Sequence, residues 1–570
     1  MSLLRIPVSA GVPAPDAAPL TDPLAAGRRL YLDGILPTGE PLRGAGQAGV
    51  TLSGKDAACA TCHRRSGYGS SEGTIEVRAI TGPALFGDRV APRAPAGAID
   101  GPPAAASAAS STTPSSPAEA ARARAQLLRG ERTSMFVGSR PRPAYDEATL
   151  ARAIRTGIDI TGGNMDATMP RFALDDSTFA SLSAYLHTLS VTVSPGVDED
   201  AVRFATVIQP GTDATREHAL VEMLRTFFRD RNLGQRAEVR RELTGQVRFG
   251  RTYKKWVLDV WELQGPSTSW DSQLETLYRR QPVFALVGGL GTQSWRPIHE
   301  FSERQELPCI FPQTEVPVVD GQNIYTVYLS EGVTLEARAL AKYLREDAES
   351  GPIVQVYRHD DASVTAAEAF RGAWEEGQKP KERMIETAPD SSFWQRLMHD
   401  SPGTNLVLWL RPEDLKHAGS LTGSGSPLKA VYLSSALVGT QRTVLAPDPT
   451  GRLRLIYPQD PPSLRAARLE VVKRWMGNNG ISLVDEQLQF NAYLAATTTG
   501  MMMMHSKDTY SRDFMLERME HRLGNSLELS VYPHLSLGPG QRFASKGSYI
   551  VKLEGGDPAR MSLASGWIVP

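Results

Sequence analysis

The sequence predicts a multidomain protein, with an all-α domain over residues 1–194 followed by a two-lobed α/β domain over 200–570. Three observations lead there. The chain has 570 residues, and single domains usually run to roughly 100–200. Its pattern breaks near residue 195, where "SAYLHTLSVTVSPGVDED" carries a helical stretch into a Pro/Gly/acidic connector. Before the break, apolar residues recur at helical spacing; after it, short β-branched and aromatic runs alternate with helical patterns.

In the first domain, residues 22–34, "DPLAAGRRLYLDG", set Leu24, Gly27 and Tyr31 at helical spacing. Residues 145–159, "YDEATLARAIRTGID", put Leu150, Ile154 and Ile158 on one stripe. Residues 175–190, "DDSTFASLSAYLHTLS", open on capping aspartates and carry Phe179, Leu182, Leu186 and Leu189 on one face. Residues 91–118 are almost entirely Ala, Pro, Ser, Gly and Thr. They offer too little apolar surface to offset ordering entropy and read as a flexible insertion.

The strongest chemical signal is "DAACATCHRRSGYG", residues 56–69, which holds two of the three cysteines with a histidine directly after. Random placement of the same residues would produce about 0.0003 such Cys-x-x-Cys-His strings. Cys59 and Cys62 are spaced to form thioethers to one haem, with His63 reaching the iron. A zinc knuckle would need further N or S ligands at matching spacing, and Cys309, the only other cysteine, is remote. A redox dithiol should open a helix inside a βαβ unit, whereas glycines flank this string on both sides.

On "GRRLYLDG", "CATCH", "MPRF" and "LSAYLHTLS" the first 190 residues resemble a class I cytochrome c. The resemblance implies one covalent haem c, crossing N- and C-terminal helices, and a second axial ligand from a methionine preceding a proline. Met169 precedes Pro170 and is favoured over Met165. His63 and Met169 lie 106 residues apart, longer than usual for that family, and the insertion accounts for much of the excess. An iron with both axial positions filled has no open site for substrate, so its implied work is one-electron transfer and not catalysis.

From residue 200, "VRFATVIQPG", "KWVLDVWELQG", "VFALVGGLG", "NIYTVYLS", "PIVQVYR", "NLVLWL" and "KAVYLSS" read as strands. Helical patterns such as "EHALVEMLRTFFRDR" and "TLEARALAKYLRED" separate many of them, which predicts parallel sheets covered by helices. On "VFALVGGLGTQSWRPIHEFSERQELPCIFP", "GPIVQVYRHDDASVTAAEAFRGAWEEG" and "SLGPGQRFASKGSYIVKLEG", this half resembles type 1 periplasmic solute-binding proteins of the branched-chain-amino-acid-receptor group. The resemblance implies a ligand between the lobes at the carboxyl ends of strands. It points to Thr292, Gln293, Thr314 and Ser435 as ligand contacts, while Trp409 suggests an apolar or aromatic ligand portion. The acid that would hold an α-ammonium should fall within "YLSSALVG", which offers only Ser434, Ser435 and Ala436. The expected ligand is therefore neutral or anionic, not a zwitterionic amino acid.

Other features narrow the classes. Basic and acidic residues number 62 and 63, which gives no case for a nucleic-acid or anionic-membrane partner. No apolar run reaches transmembrane length. The first twenty residues lack a long apolar stretch of signal-peptide type, although covalent haem attachment implies a periplasmic location. "MMMMH" at 501–505 reads as core methionine, because consecutive helical residues point around the axis and cannot share one ion. Cys309 in "LPCIFP" reads as a buried thiol. The leading expectation is a periplasmic electron carrier with a small-molecule-binding domain, taking electrons from a dehydrogenase or another redox partner protein. The alternative is an ABC-transporter-type solute-binding or sensing receptor whose haem module is regulatory.

Overall fold

The structure is a computed structural model that describes residues 22–72, 75–87, 142–243, 254–319, 323–346, 351–374, 379–439, 445, 448, 450–506, 510–526, 530–538, 540–553 and 561–570. The insertion at 91–118 and the first twenty residues lie outside them. The chain divides into two units, Met1–Thr192 and Val193–Pro570, each described below on its own.

Gly27 sets the packing of the first unit. It lies on the helix Pro23–Asp33, where an added Cβ would fall 1.9 Å from the backbone oxygen of Ser181 on the helix Asp176–Thr188. Two helices can approach that closely only where one has no side chain. One turn on, the rings of Tyr31 and Tyr185 meet at 5.3 Å. Leu30, Phe179, Leu182 and Leu186 fill the core beside this crossing, whereas Leu24 is exposed.

Each helix end has a local cause. Asp22 accepts hydrogen bonds from the backbone N–H groups of Leu24 and Ala25, and Gly34 closes the first helix at φ 65°. Asp146 and Thr149 form a capping box on the helix Glu147–Thr156, which Gly157 ends at φ 73°. The helix therefore stops before Ile158, and the apolar stripe reduces to Leu150, Ala153 and Ile154. The unit is not purely helical. It also carries two antiparallel ribbons, Arg43–Ala45 (β1) with Thr51–Ser53 (β2), and Ser70–Glu72 (β3) with Ile75–Val77 (β4). Gly69, at φ 76°, leads into the second ribbon; a Cβ there would fall 1.9 Å from the carbonyl oxygen of Val77.

The second unit contains two sheets. The first runs β10–β8–β5–β7–β9–β11, with β6 on the free side of β5, and every pairing is parallel. Its strands are Ala201–Ile208 (β5), Lys255–Glu262 (β6), Ala285–Val287 (β7), Leu290–Gly291 (β8), Cys309–Ile310 (β9), Gln313–Thr314 (β10) and Thr326–Val327 (β11). The second runs β13–β12–β14–β15–β16–β17–β18. Its strands are Ile353–Arg358 (β12), Lys381–Ile385 (β13), Asn405–Trp409 (β14), Ala430–Ser434 (β15), Leu453–Tyr457 (β16), Tyr549–Leu553 (β17) and Met561–Leu563 (β18). β12 to β16 are parallel, but β17 and β18 are antiparallel, so this sheet is mixed and not purely parallel as the strand–helix alternation predicts.

Each sheet is buried on both faces, which is why its strands read as continuous apolar runs. One core joins the first sheet to residues of the helices Ala214–Leu243, Pro462–Asn478, Glu486–Ser506 and Arg512–Ser526. A second lies on its other face, under Trp270, Leu274, Ile298 and Phe301. The second sheet is likewise covered by two cores. The chain thus builds the first sheet, crosses to the second, returns for three helices of the first core, and crosses again to add β17 and β18. Two covered sheets joined by repeated crossings make a two-lobed α/β unit. Met502 and Met503 are buried in the first core while Met504 is exposed, so the methionine run faces in different directions. Cys309 is fully buried on β9, and burial pushes its thiol up to about 12. No helix among the described residues is long and apolar enough to cross a membrane.

Candidate functional site

Two places gather chemistry, one in each unit. In the first, "CATCH" forms the short helix Cys59–His63. Neither Cys59 nor Cys62 is in a disulfide; Cys59 is half-buried and Cys62 exposed. His63 is buried, and its Nδ1 lies 2.9 Å from the backbone carbonyl oxygen of Arg78. A carbonyl only accepts, so this contact holds the proton on Nδ1 and leaves Nε2 with its lone pair. Burial lowers the pKa of His63, outweighing the opposing contact with Arg78, and favours the neutral ring. The chain leaves this helix through Arg64 at φ 65°, whose carbonyl accepts a hydrogen bond of 2.7 Å from the Tyr31 hydroxyl.

Both candidate methionines lie on the loop before Pro170. Met165 and Met169 are half-buried, but only Met169 packs against the core that holds Leu30, Tyr31, Phe172 and, at its edge, Cys59. Arg171 donates to the carbonyls of both. These residues fit a covalently held haem. The thiols are unpaired with each other, the imidazole is in the tautomer a metal takes, and a thioether packs in the same core. Among the described residues, no group of three or more His, Cys, Asp or Glu side chains converges as a metal-ion cluster would, so Cys59, Cys62 and His63 do not form a zinc-type set.

The second site is a cleft between the two sheets. β8 ends at Gly291, β10 at Thr314, β15 at Ser434 and β16 at Tyr457, and the cleft takes Gly291, Gln313, Thr314, Ser435, Ala436 and Pro458 from those ends. A crevice at the carboxyl ends of parallel strands is where backbone groups and helix starts converge on a ligand. Its cavity is about 110 Å³.

Glu336 is the residue that the sequence pattern missed. It is 1% exposed on the helix Val333–Glu346, and its carboxylate reaches the start of the segment after β15. Oε2 accepts from Ser434 Oγ at 2.5 Å; Oε1 accepts from Ser435 Oγ at 2.6 Å and from the backbone N–H of Ala436 at 3.1 Å. "YLSSALVG" holds no acid of its own, yet an acid occupies it, supplied from 98 residues upstream. The expectation of a neutral or anionic ligand rested on that vacancy and loses its basis. The signal was present in the helix, where Glu336 stands in line with Leu340 and Leu344 at four-residue steps on the buried face. Glu336→Ala should strand two hydroxyls and an N–H, costing about 3 kcal/mol in urea unfolding of the full chain; Glu336→Gln, which keeps one acceptor, should cost less.

Other charges meet at the cleft. Glu315, directly after β10, binds Arg411 from the loop after β14 through Oε1–Nη1 at 3.3 Å and Oε2–Nη2 at 2.7 Å. Burial pushes the Glu315 carboxyl upward, against the pull of Arg411 and Arg216. Arg216 pairs with Asp485 at 3.0 Å. Asn491 is 2% exposed and donates from Nδ2 to Gln313 Oε1 at 3.0 Å. Tyr532 lines the same wall; burial pushes its phenol up to about 12, opposed by hydrogen bonds that the Asn491 and Gln487 side-chain amides donate to its oxygen.

The remaining expected contacts lie elsewhere. Thr314 and Ser435 line the cleft, but Thr292 does not. Gln293 borders a separate open groove of about 490 Å³ with Asp271, Arg296, Glu300, Arg304 and Asp361. Trp409 is fully buried, donates from Nε1 to Gln355 Oε1 at 3.0 Å, and packs 5.8 Å from Phe370. It is a core residue, because its strand is covered on both faces, and it does not line the cleft.

No family profile matches the chain, and no curated protein does. Among solved structures, it is similar to a fatty acid ABC transporter substrate-binding protein from Thermomonospora curvata. That likeness has 14% identity and a TM-score of 0.49, and covers 67% of this chain and 95% of that one. It is also similar to a branched-chain amino acid ABC transporter protein from Thermus thermophilus with bound valine, at 12% identity and TM-score 0.48, over 65% of this chain and 97% of that one. A leucine-binding protein from Thermotoga maritima is similar at 12% identity and TM-score 0.47, over 65% of this chain and 99% of that one.

Proposed function

We propose that this protein is an exported, non-enzymatic receptor that binds a small molecule between its α/β lobes and carries a covalent haem on its first unit. The observation that carries the receptor reading is the cleft itself. Strand ends from both sheets face one cavity, lined by the buried polar side chains of Glu336, Asn491 and Ser435. Polar groups that converge in a concave site between two lobes suit ligand recognition. Closure of the lobes on a ligand would then be the signal passed on, to a transporter or to another partner.

In the haem module, Cys59 and Cys62 would anchor the porphyrin and His63 would bind the iron through Nε2. Met169 would supply the second axial position. Bound this way, the group supplies one-electron redox chemistry and no open coordination site. His63 is held for that role by the Arg78 carbonyl, which keeps its proton on Nδ1. This geometry favours a second reading, in which the protein is primarily an electron carrier that accepts electrons from a periplasmic dehydrogenase.

A potentiometric titration of exported, full-length protein separates the two. Saturation with a solute that raises the melting temperature should shift the midpoint potential, and reduction should change solute affinity by the matching factor. A potential unmoved by bound solute, together with fast solute-independent reduction by a dehydrogenase, would establish the carrier reading instead.

A further inference from the structure

We infer that the cleft takes a small organic cation, an amine without a carboxylate, and selects against amino acids and carboxylic acids. The inference rests on the receptor reading above and concerns what that receptor binds. Asn491 has almost no exposure, and no donor among the described residues reaches its Oδ1, although its Nδ2 is used by Gln313. A buried acceptor without a donor is costly, and a ligand N–H would relieve that cost.

The charges point the same way. Glu315, Glu336 and Asp485 border the cleft, and among the described residues that line it Arg216 is the only arginine or lysine. Arg216 is engaged by Asp485, and Arg411, which reaches in from the second lobe, is engaged by Glu315. Among the described residues, a ligand carboxylate would add a fourth negative charge beside two guanidinium groups that are already paired. Each such contact is unfavourable where water is scarce.

An alkylammonium has the opposite character: three donors, no acceptor and one positive charge. It would give one N–H to Asn491 Oδ1 and place its charge in the field of Glu336. Three donors already hold the Glu336 carboxylate in place at the edge of the cleft. Size sets a further limit. The cavity of about 110 Å³ is smaller than the roughly 150 Å³ cavity known to admit benzene, so a chain of three or four carbons suits it.

The test is isothermal titration of the full-length, haem-loaded protein with four compounds of similar size: n-propylamine, propionamide, propionate and alanine. Propylamine should bind at least about ten-fold more tightly than the others. Asn491→Leu should weaken it by about ten-fold, the scale of one buried hydrogen bond. Asn491→Asp, nearly identical in shape and so a control for folding, should tighten propylamine and leave propionamide little changed. Binding of alanine or propionate in preference to propylamine would overturn the ligand class while leaving a receptor in place. So would propylamine binding that ignores both Asn491 variants, since the amine would then sit elsewhere. Failure of propylamine to bind also overturns it. The receptor reading itself falls only if a broad solute screen finds no compound that raises the melting temperature.

Discussion

Exported protein carrying Cys59→Ser and Cys62→Ser together is expected to lose covalent haem completely. After denaturing electrophoresis it should give no haem stain, and its mass should equal that of the polypeptide alone. Cys309→Ser is the internal control and should retain the pigment. Cys309 lies fully buried on β9 in the second unit. Met169→Ala should keep the covalent pigment but change the reduced spectrum and lower the midpoint potential, because thioether ligation raises potential. Met165→Ala should change neither. Packing argues for this order, since Met169 touches the core beside Cys59 and Met165 does not. A reversed result would move the axial role to Met165; pigment that stays covalently bound in the double cysteine variant would rule out attachment through Cys59 and Cys62.

The second large effect should come from Gly27→Ala. The new methyl would lie 1.9 Å from the Ser181 carbonyl oxygen, 2.6 Å from its carbon and 3.0 Å from Tyr185 Cβ. Two of the three neighbours are backbone atoms, so no rotamer change makes room and the helices must move apart. Forced overpacking in a core costs about 1–3 kcal/mol and sometimes more, and this position belongs at the upper end. The first unit should unfold earlier in urea, read by the far-UV signal and by loss of the Tyr31–Tyr185 contact. By contrast, Gly49 and Gly162 meet nothing within 4 Å, although both have positive φ. Gly162→Ala should therefore show only the smaller backbone cost of its left-handed conformation. Equal effects at Gly27 and Gly162 would mean that the crossing is not close in solution.

The two predictions draw on different kinds of legibility. The cysteine string is local: its residues are consecutive, and its improbability is visible without any fold. The helix Asp176–Thr188 was legible for the same reason, since the three- and four-residue spacing of Phe179, Leu182 and Leu186 places them on one face of any helix. The parallel strands were legible because a sheet covered on both faces needs apolar residues throughout. Their continuous burial in β14 and β15 agrees. The ribbons of the first unit were missed because three-residue strands carry no measurable period.

The cleft was harder. Thr314 and Ser435 were reached by their position after strands. Trp409 was misread because an aromatic on a central strand has the same sequence signature whether it faces a cavity or a core. Glu336 reaches its loop only through space, since 98 residues separate it from Ser434. Asn491 and Tyr532 come from chain segments that return to the first core after the second sheet is begun, a path that no local pattern reports.

Composition and periodicity were thus enough to indicate the elements, the division near residue 195 and the Cys59, Cys62 and His63 string on which the haem proposal rests, because each depends on neighbours a few residues away. The chemical character of the cleft was settled by folding. Glu336 meets Ser434 across 98 residues and Arg411 meets Glu315 across 96. Hydrogen bonds and charges act over a few ångströms of space, not along the chain, so which acid finds which donor was decided when the lobes assembled.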